Sequence, residues 1–66
     1  MTVARITEIS SISPKSFEDA IVQGVARANQ TLKNLKGAWV KDQEVQIENG
    51  QITGYKVILK VTFVLQ

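Results

Sequence analysis

From Tyr55 to Leu65 every odd position is apolar or aromatic: Tyr55, Val57, Leu59, Val61, Phe63 and Leu65. Lys56, Lys60 and Thr62 take even positions, with Ile58 and Val64 among them. Successive side chains of a strand point to opposite faces, so a strict period of two specifies a β-strand with one apolar face. Fully extended from Gln51 to Gln66 that strand is about 50 Å long, too long for a lone domain of 66 residues. The overhang calls for a partner. The even face, with Ile58, Val64 and Trp39 from a neighbouring strand, is apolar enough to serve as a subunit interface or a ligand platform.

The size of the chain points the same way. A 7.3 kDa chain buries only about 60% of the surface its unfolded state exposes, and is marginal without a disulfide, a metal or a partner subunit. With no Cys and no His in the sequence, disulfides, thiolate and imidazole metal sites, Cys or Ser/His nucleophilic catalysis and histidine acid–base chemistry are all excluded. Self-association is the remaining source of stability.

Eight Lys and Arg against six Asp and Glu give a net charge of +2. Basic residues gather only loosely, at Lys33, Lys36 and Lys41, and four aromatic residues offer little base stacking, so nucleic acid is not the expected partner. No apolar run approaches the length of a bilayer span, and the start of the chain lacks a signal-peptide pattern. The expectation is a cytoplasmic protein without a membrane partner. Asn29-Gln30-Thr31 matches a glycosylation acceptor but sits within a helical pattern, and is read as chance.

Upstream of the long strand, Val3 to Ile9 reads as a first strand, ended by Ser10, Ser11 and Ser13. Ser13-Pro14 is a helix start, since the Ser side chain accepts from an orphan amide and Pro loses a donor that had no partner; Ser16, Glu18 and Asp19 support the same turn. Phe17, Ile21, Gly24, Val25, Ala28 and Leu32 then line one helical face, opposite Glu18, Gln23, Arg27 and Gln30. Gly24 on the apolar face suggests a close approach of helix and sheet. Asn34 to Gly37 ends the helix. A second strand follows from Ala38 through Trp39, Val40, Val45 and Ile47, interrupted by the polar run Lys41 to Glu44. Asn49-Gly50 supplies the positive φ values of a type I′ turn, which pairs the second and third strands antiparallel. A right-handed crossover places the third strand between the other two. No repeat, linker or low-complexity tract divides residues 1–66, so the expectation is a single α+β domain of order β-α-β-β.

This order, the Ser-Pro-x-Ser-Phe helix start, Ala26-Arg27-Ala28 with Thr31-Leu32, Val40-x-Asp42-Gln43 and the closing Tyr55-x-Val57-x-Leu59-x-Val61-x-Phe63 together resemble the dodecins over nearly the whole chain. The resemblance implies a three-stranded antiparallel sheet partly wrapped around its helix, assembled into a hollow homododecamer. It also implies flavin (FMN or riboflavin) bound between subunits for storage and sequestration, without catalytic turnover. In flavin-binding members a Trp stacks on the isoalloxazine at a position that falls here on Gly37. Trp39 lies two residues later, on the same face and about 7 Å along the strand. The family's Gln after the strand-three Tyr is matched by Lys56, which donates but cannot accept, while Asp42 agrees with an acidic residue of some members. The expected ligand-binding residues are therefore Trp39 as stacking surface, with Asp42 and Lys56 as polar contacts; no catalytic or metal-ligating residue is assigned. A calcium-binding branch of the family, which lacks the stacking Trp and carries a basic residue after the same Tyr, is the alternative. For that reading Asp42, Glu44 and Glu48 are oxygen ligands of the right type, without EF-hand spacing.

Overall fold

The computed structural model describes residues 2–65. Its elements are β1 (Ala4–Ser13), α1 (Phe17–Thr31), β2 (Leu35–Glu48) and β3 (Gln51–Val64). The three strands form one antiparallel sheet of order β1-β3-β2, which confirms the central position expected for the third strand. The molecule measures 50 × 19 × 14 Å, and its length matches the expected reach of β3.

The odd positions of β3 face the helix. Val57, Leu59 and Val61 are fully buried with Ala20 of α1, and Ile9, Phe17, Ile21, Val25, Leu35 and Val40 pack around them. Ala20, Gly24 and Ala28 are the buried helix residues, so α1 presents its smallest side chains where it lies nearest the sheet. A Cβ built on Gly24 would stand 3.0 Å from Ser11 Cβ. The close approach is real.

The helix is shorter than the sequence suggested at both ends. Ser16, rather than Ser13, is the N-cap, its hydroxyl accepting from the Asp19 amide at 2.9 Å. Ser13 closes β1 instead: its buried hydroxyl accepts from the Lys15 amide and donates to the Asp19 carboxylate at 2.6 Å. The Ser-Pro step is thus a locked corner before the helix, and the first strand runs four residues past Ile9. Glu18 and Asp19 in the first turn complement the helix dipole. At the far end Leu32 caps the helix through its amide to the Ala28 carbonyl. Asn34 takes a positive φ of 63°, and β2 begins at Leu35, so Lys36 and Gly37 belong to the strand.

The polar run in β2 does not break the strand. It is absorbed by a bulge: Val40 pairs with Leu59 and Asp42 with Ile58, which leaves Lys41 as the extra residue. Asn49 and Gly50, with φ of 53° and 76°, make the turn that Asn-Gly was read to require. Beyond the Ser13–Tyr55 pair β1 has ended, and β2 and β3 continue as a two-stranded ribbon to Glu48 and Gln51.

Candidate functional site

The even positions of β3 point away from α1 and, with their cross-strand partners, form an uncovered outer face. Ile6 and Ile12 of β1 and Trp39 of β2 are exposed there, and Ile58 and Val64 are only partly covered. A face with this much exposed apolar surface on so small a chain marks a contact or ligand surface.

Registers place the expected residues on it. Trp39 pairs with Lys60, Asp42 with Ile58 and Glu44 with Lys56, so Trp39, Asp42 and Lys56 share the outer face. They do not converge on one point. From the Trp39 pair to the Lys56 pair is four residues of β3, about 13 Å, with Asp42 midway. One chain therefore offers a strip, with the indole at one end and the Lys56 ammonium at the other. Gly37 pairs with Thr62, one same-face step before Trp39. The bulge at Lys36 does not change that parity, so the expectation that Trp39 shares the face of Gly37 holds. At Gly37 a Cβ would meet nothing within 4 Å, which leaves open space beside the indole.

Trp39 is 70% exposed, and the Lys60 ammonium lies 5.8 Å from its ring centroid, within range of a cation–π contact. Lys41, turned onto this face by the bulge, meets Glu8 at 3.2 Å, and Lys56 stands 4.0 Å from Glu44. Both pairs are substantially exposed and hold their charges loosely. Glu8, Lys41 and Lys60 were not singled out as site residues from the sequence, and Glu44 was named only as an oxygen ligand for the calcium alternative. The signal for Lys60 was its even position on β3, four residues after Lys56, and counting back from the Glu48–Gln51 pair beside the Asn49-Gly50 turn puts it opposite Trp39.

A shallow depression of about 350 Å³ lies on this face, lined by Glu8, Ser10, Lys56 and Ile58 with Ile9. A larger open groove of about 640 Å³ runs between α1 and β1, on the far side of the sheet, and contains none of the expected ligand-binding residues. Among the described residues no three His, Cys, Asp or Glu side chains gather where they could hold a metal ion, so Asp42, Glu44 and Glu48 of one chain do not form a cation site. No described helix is long and apolar enough to cross a membrane.

This combination of a β-α-β-β chain, a sheet curled over one short helix and an uncovered outer face is that of the dodecins, and the match to known proteins is direct. The Dodecin family model matches residues 3–66: the chain belongs to the dodecin family, whose members are binding and storage proteins. Dodecin from Streptomyces davaonensis superposes with a TM-score of 0.93 at 38% identity, over 98% of this chain and 96% of that one. The calcium dodecin of Mycobacterium tuberculosis is 33% identical over 64 residues, 96% of this chain and 89% of its own. A solved structure of calcium dodecin from that organism, described as a calcium-chelating antigen with a calcium-binding site, superposes with a TM-score of 0.84 at 29% identity, covering 97% of this chain and 91% of that one.

Proposed function

We propose that this dodecin assembles with copies of itself into a twelve-chain shell in the cytoplasm and binds flavin on the outer faces of its sheets, as a storage and sequestration protein without catalytic turnover. The observation that carries the reading is the exposed indole of Trp39 on the face that also holds Asp42 and Lys56. An uncovered indole on a strand paired along its length with the central β3 is a stacking platform. Asp42 accepts from ring N–H groups and Lys56 donates to ring carbonyl oxygens, so the two restore, on separate side chains, the donor and acceptor that one Gln would combine. Because these groups form a strip in each chain, a ligand becomes enclosed only when a second copy faces the first. Two small outer faces laid together bury the exposed isoleucines and the ligand in one step, which also supplies the stability the chain lacks alone.

The test is a titration of the assembled protein with FMN and with riboflavin, following flavin emission and the fluorescence of Trp39, the one Trp in the sequence. Stacking predicts mutual quenching, and Trp39→Ala loses about 1–3 kcal/mol of binding, roughly 5- to 150-fold in Kd. Unchanged affinity in that variant overturns the assignment of Trp39.

A second reading takes calcium as the ligand, and is favoured by the calcium dodecin relative at 33% identity. Since one chain gathers no cluster of carboxylates among the described residues, such a site draws Asp42, Glu44 or Glu48 from more than one copy.

A further inference from the structure

Three lysines lie along the stretch of the outer face that holds Trp39, Asp42 and Lys56, and they are not equivalent. Lys41 is held by Glu8 at 3.2 Å and Lys56 by Glu44 at 4.0 Å. Lys60 is paired across the sheet with Glu8 on one side and Trp39 on the other, but Glu8 turns to Lys41. Lys60 has no carboxylate within ion-pair distance among the described residues, and its ammonium lies over the indole instead, 5.8 Å from the ring centroid. The residual positive charge of this stretch is therefore stored on the surface where a planar ligand would stack.

We propose that Lys60 is a specificity-determining residue of this face, selecting planar ligands that carry an anionic group over neutral ligands with the same ring. The proposal rests on the flavin reading above and deepens it. A ring that stacks on the exposed indole displaces the ammonium from it. A neutral ligand leaves the cation without that contact, whereas an anionic one gives it a new partner within reach of its flexible four-carbon stem. The remaining charges fix the direction of the ligand. Asp42 stands on the same face about 7 Å from the Trp39 pair and repels an anion, so the charged group leaves on the opposite side of Lys60, toward Thr62 and the open space at Gly37. The ring edge then points toward Asp42 and Lys56. A phosphate monoester, with a charge near −1.5 to −2 at neutral pH, is the strongest common anion of this kind.

FMN and riboflavin share one ring and differ in the phosphate, so the ratio of their dissociation constants reads Lys60 directly. It is measured by flavin quenching on the assembled protein, for wild type, Lys60→Arg, Lys60→Gln and Lys60→Glu, at low and high salt. Wild type binds FMN about three- to five-fold more tightly than riboflavin at low salt, as one solvent-exposed ion pair allows. Lys60→Arg keeps the preference, Lys60→Gln abolishes it, Lys60→Glu reverses it, and added salt shrinks the wild-type ratio. Equal ratios in the Arg and Gln variants overturn the role of Lys60 while leaving flavin binding intact, and those two variants decide the matter even where the charge reversal blocks assembly. Failure of wild type to bind either flavin overturns both this inference and the flavin reading.

Discussion

Replacing Gly24 with Ala sets two effects of known sign against each other. In a helix interior Ala is favoured over Gly by about 0.8–1.0 kcal/mol, and on a free helix the substitution stabilises. Here the new methyl would stand 3.0 Å from Ser11 Cβ, 3.3 Å from Ser11 Oγ and 3.4 Å from Leu59 Cδ1. The Leu59 methyl and the Ser11 hydroxyl can rotate away. Ser11 Cβ cannot, because it is bonded directly to the backbone of β1, which is held in register opposite Val57. The helix must therefore lift from the sheet over Ala20 and Ala28, its two other buried contacts, and overpacking of this kind costs about 1–3 kcal/mol. The balance is a net loss near 1 kcal/mol, or roughly 4–8 °C in Tm for a chain of this size. The assay is thermal and urea unfolding at one fixed chain concentration, because assembly contributes to stability by mass action. Gly37→Ala is the control: nothing lies within 4 Å of its Cβ and its φ is ordinary, so stability holds or rises by up to about 1 kcal/mol. Ser11→Gly removes the obstructing atom, so Ser11→Gly with Gly24→Ala shows a favourable coupling in a double-mutant cycle. A Gly24→Ala variant about 1 kcal/mol more stable than wild type, with no coupling to Ser11, refutes the close-approach argument.

Further outcomes follow from the same contacts. Leu59→Ala, at a fully buried core position, lowers unfolding stability by about 2–5 kcal/mol and leaves little assembled protein in size-exclusion chromatography. Ser16→Ala removes the cap on the Asp19 amide and costs about 1 kcal/mol by urea unfolding. Glu8→Gln breaks a pair whose side chains are both near half-exposed, so it shifts stability by less than about 1 kcal/mol; with the Glu8 charge gone and the Lys41 ammonium released, the face is more positive and FMN affinity rises slightly in the quenching titration. Calcium added to the flavin-free assembly leaves Tm unchanged if flavin is the ligand, whereas a saturable rise that Asp42→Asn abolishes would support the calcium reading.

The fold was legible where one physical cause dominated. The alternation of β3 reports burial on one face only, and it located the core residues Val57, Leu59 and Val61 directly. Asn49-Gly50 named its turn because two consecutive positive φ values leave few other choices. Competing local signals hid the rest. Ser13 and Ser16 both cap acceptably in isolation, and only the tertiary bond from Ser13 to Asp19 removes the first from the choice. Ala20 escaped notice because a pattern of large apolar residues ignores the small ones, yet it is small residues that let a helix lie against a sheet. The polar run Lys41 to Glu44 looked like a break because a bulge shifts side-chain parity without ending the hydrogen-bonding ladder. At the site, family resemblance pointed to Trp39, Asp42 and Lys56; plain alternation puts Trp39 and Asp42, three residues apart, on opposite faces, and only the bulge at Lys41 brings them onto one. The pairing of Lys60 with Trp39 is the one that counting back from the Glu48–Gln51 pair gives, because the extra residue in β3 at Thr53 and the extra residue in β2 at Lys41 offset each other.

The central claim, that copies of this chain enclose flavin against the outer face of the sheet, is tested most directly by passing the protein with excess FMN over a size-exclusion column and recording light scattering and flavin absorbance on the same peak. The account predicts a particle of twelve chains of 7.3 kDa carrying about one flavin per chain, with the flavin emission and Trp39 fluorescence of that peak both quenched. A monomer or dimer, or a shell that elutes free of flavin with Trp39 emission unaltered, contradicts it.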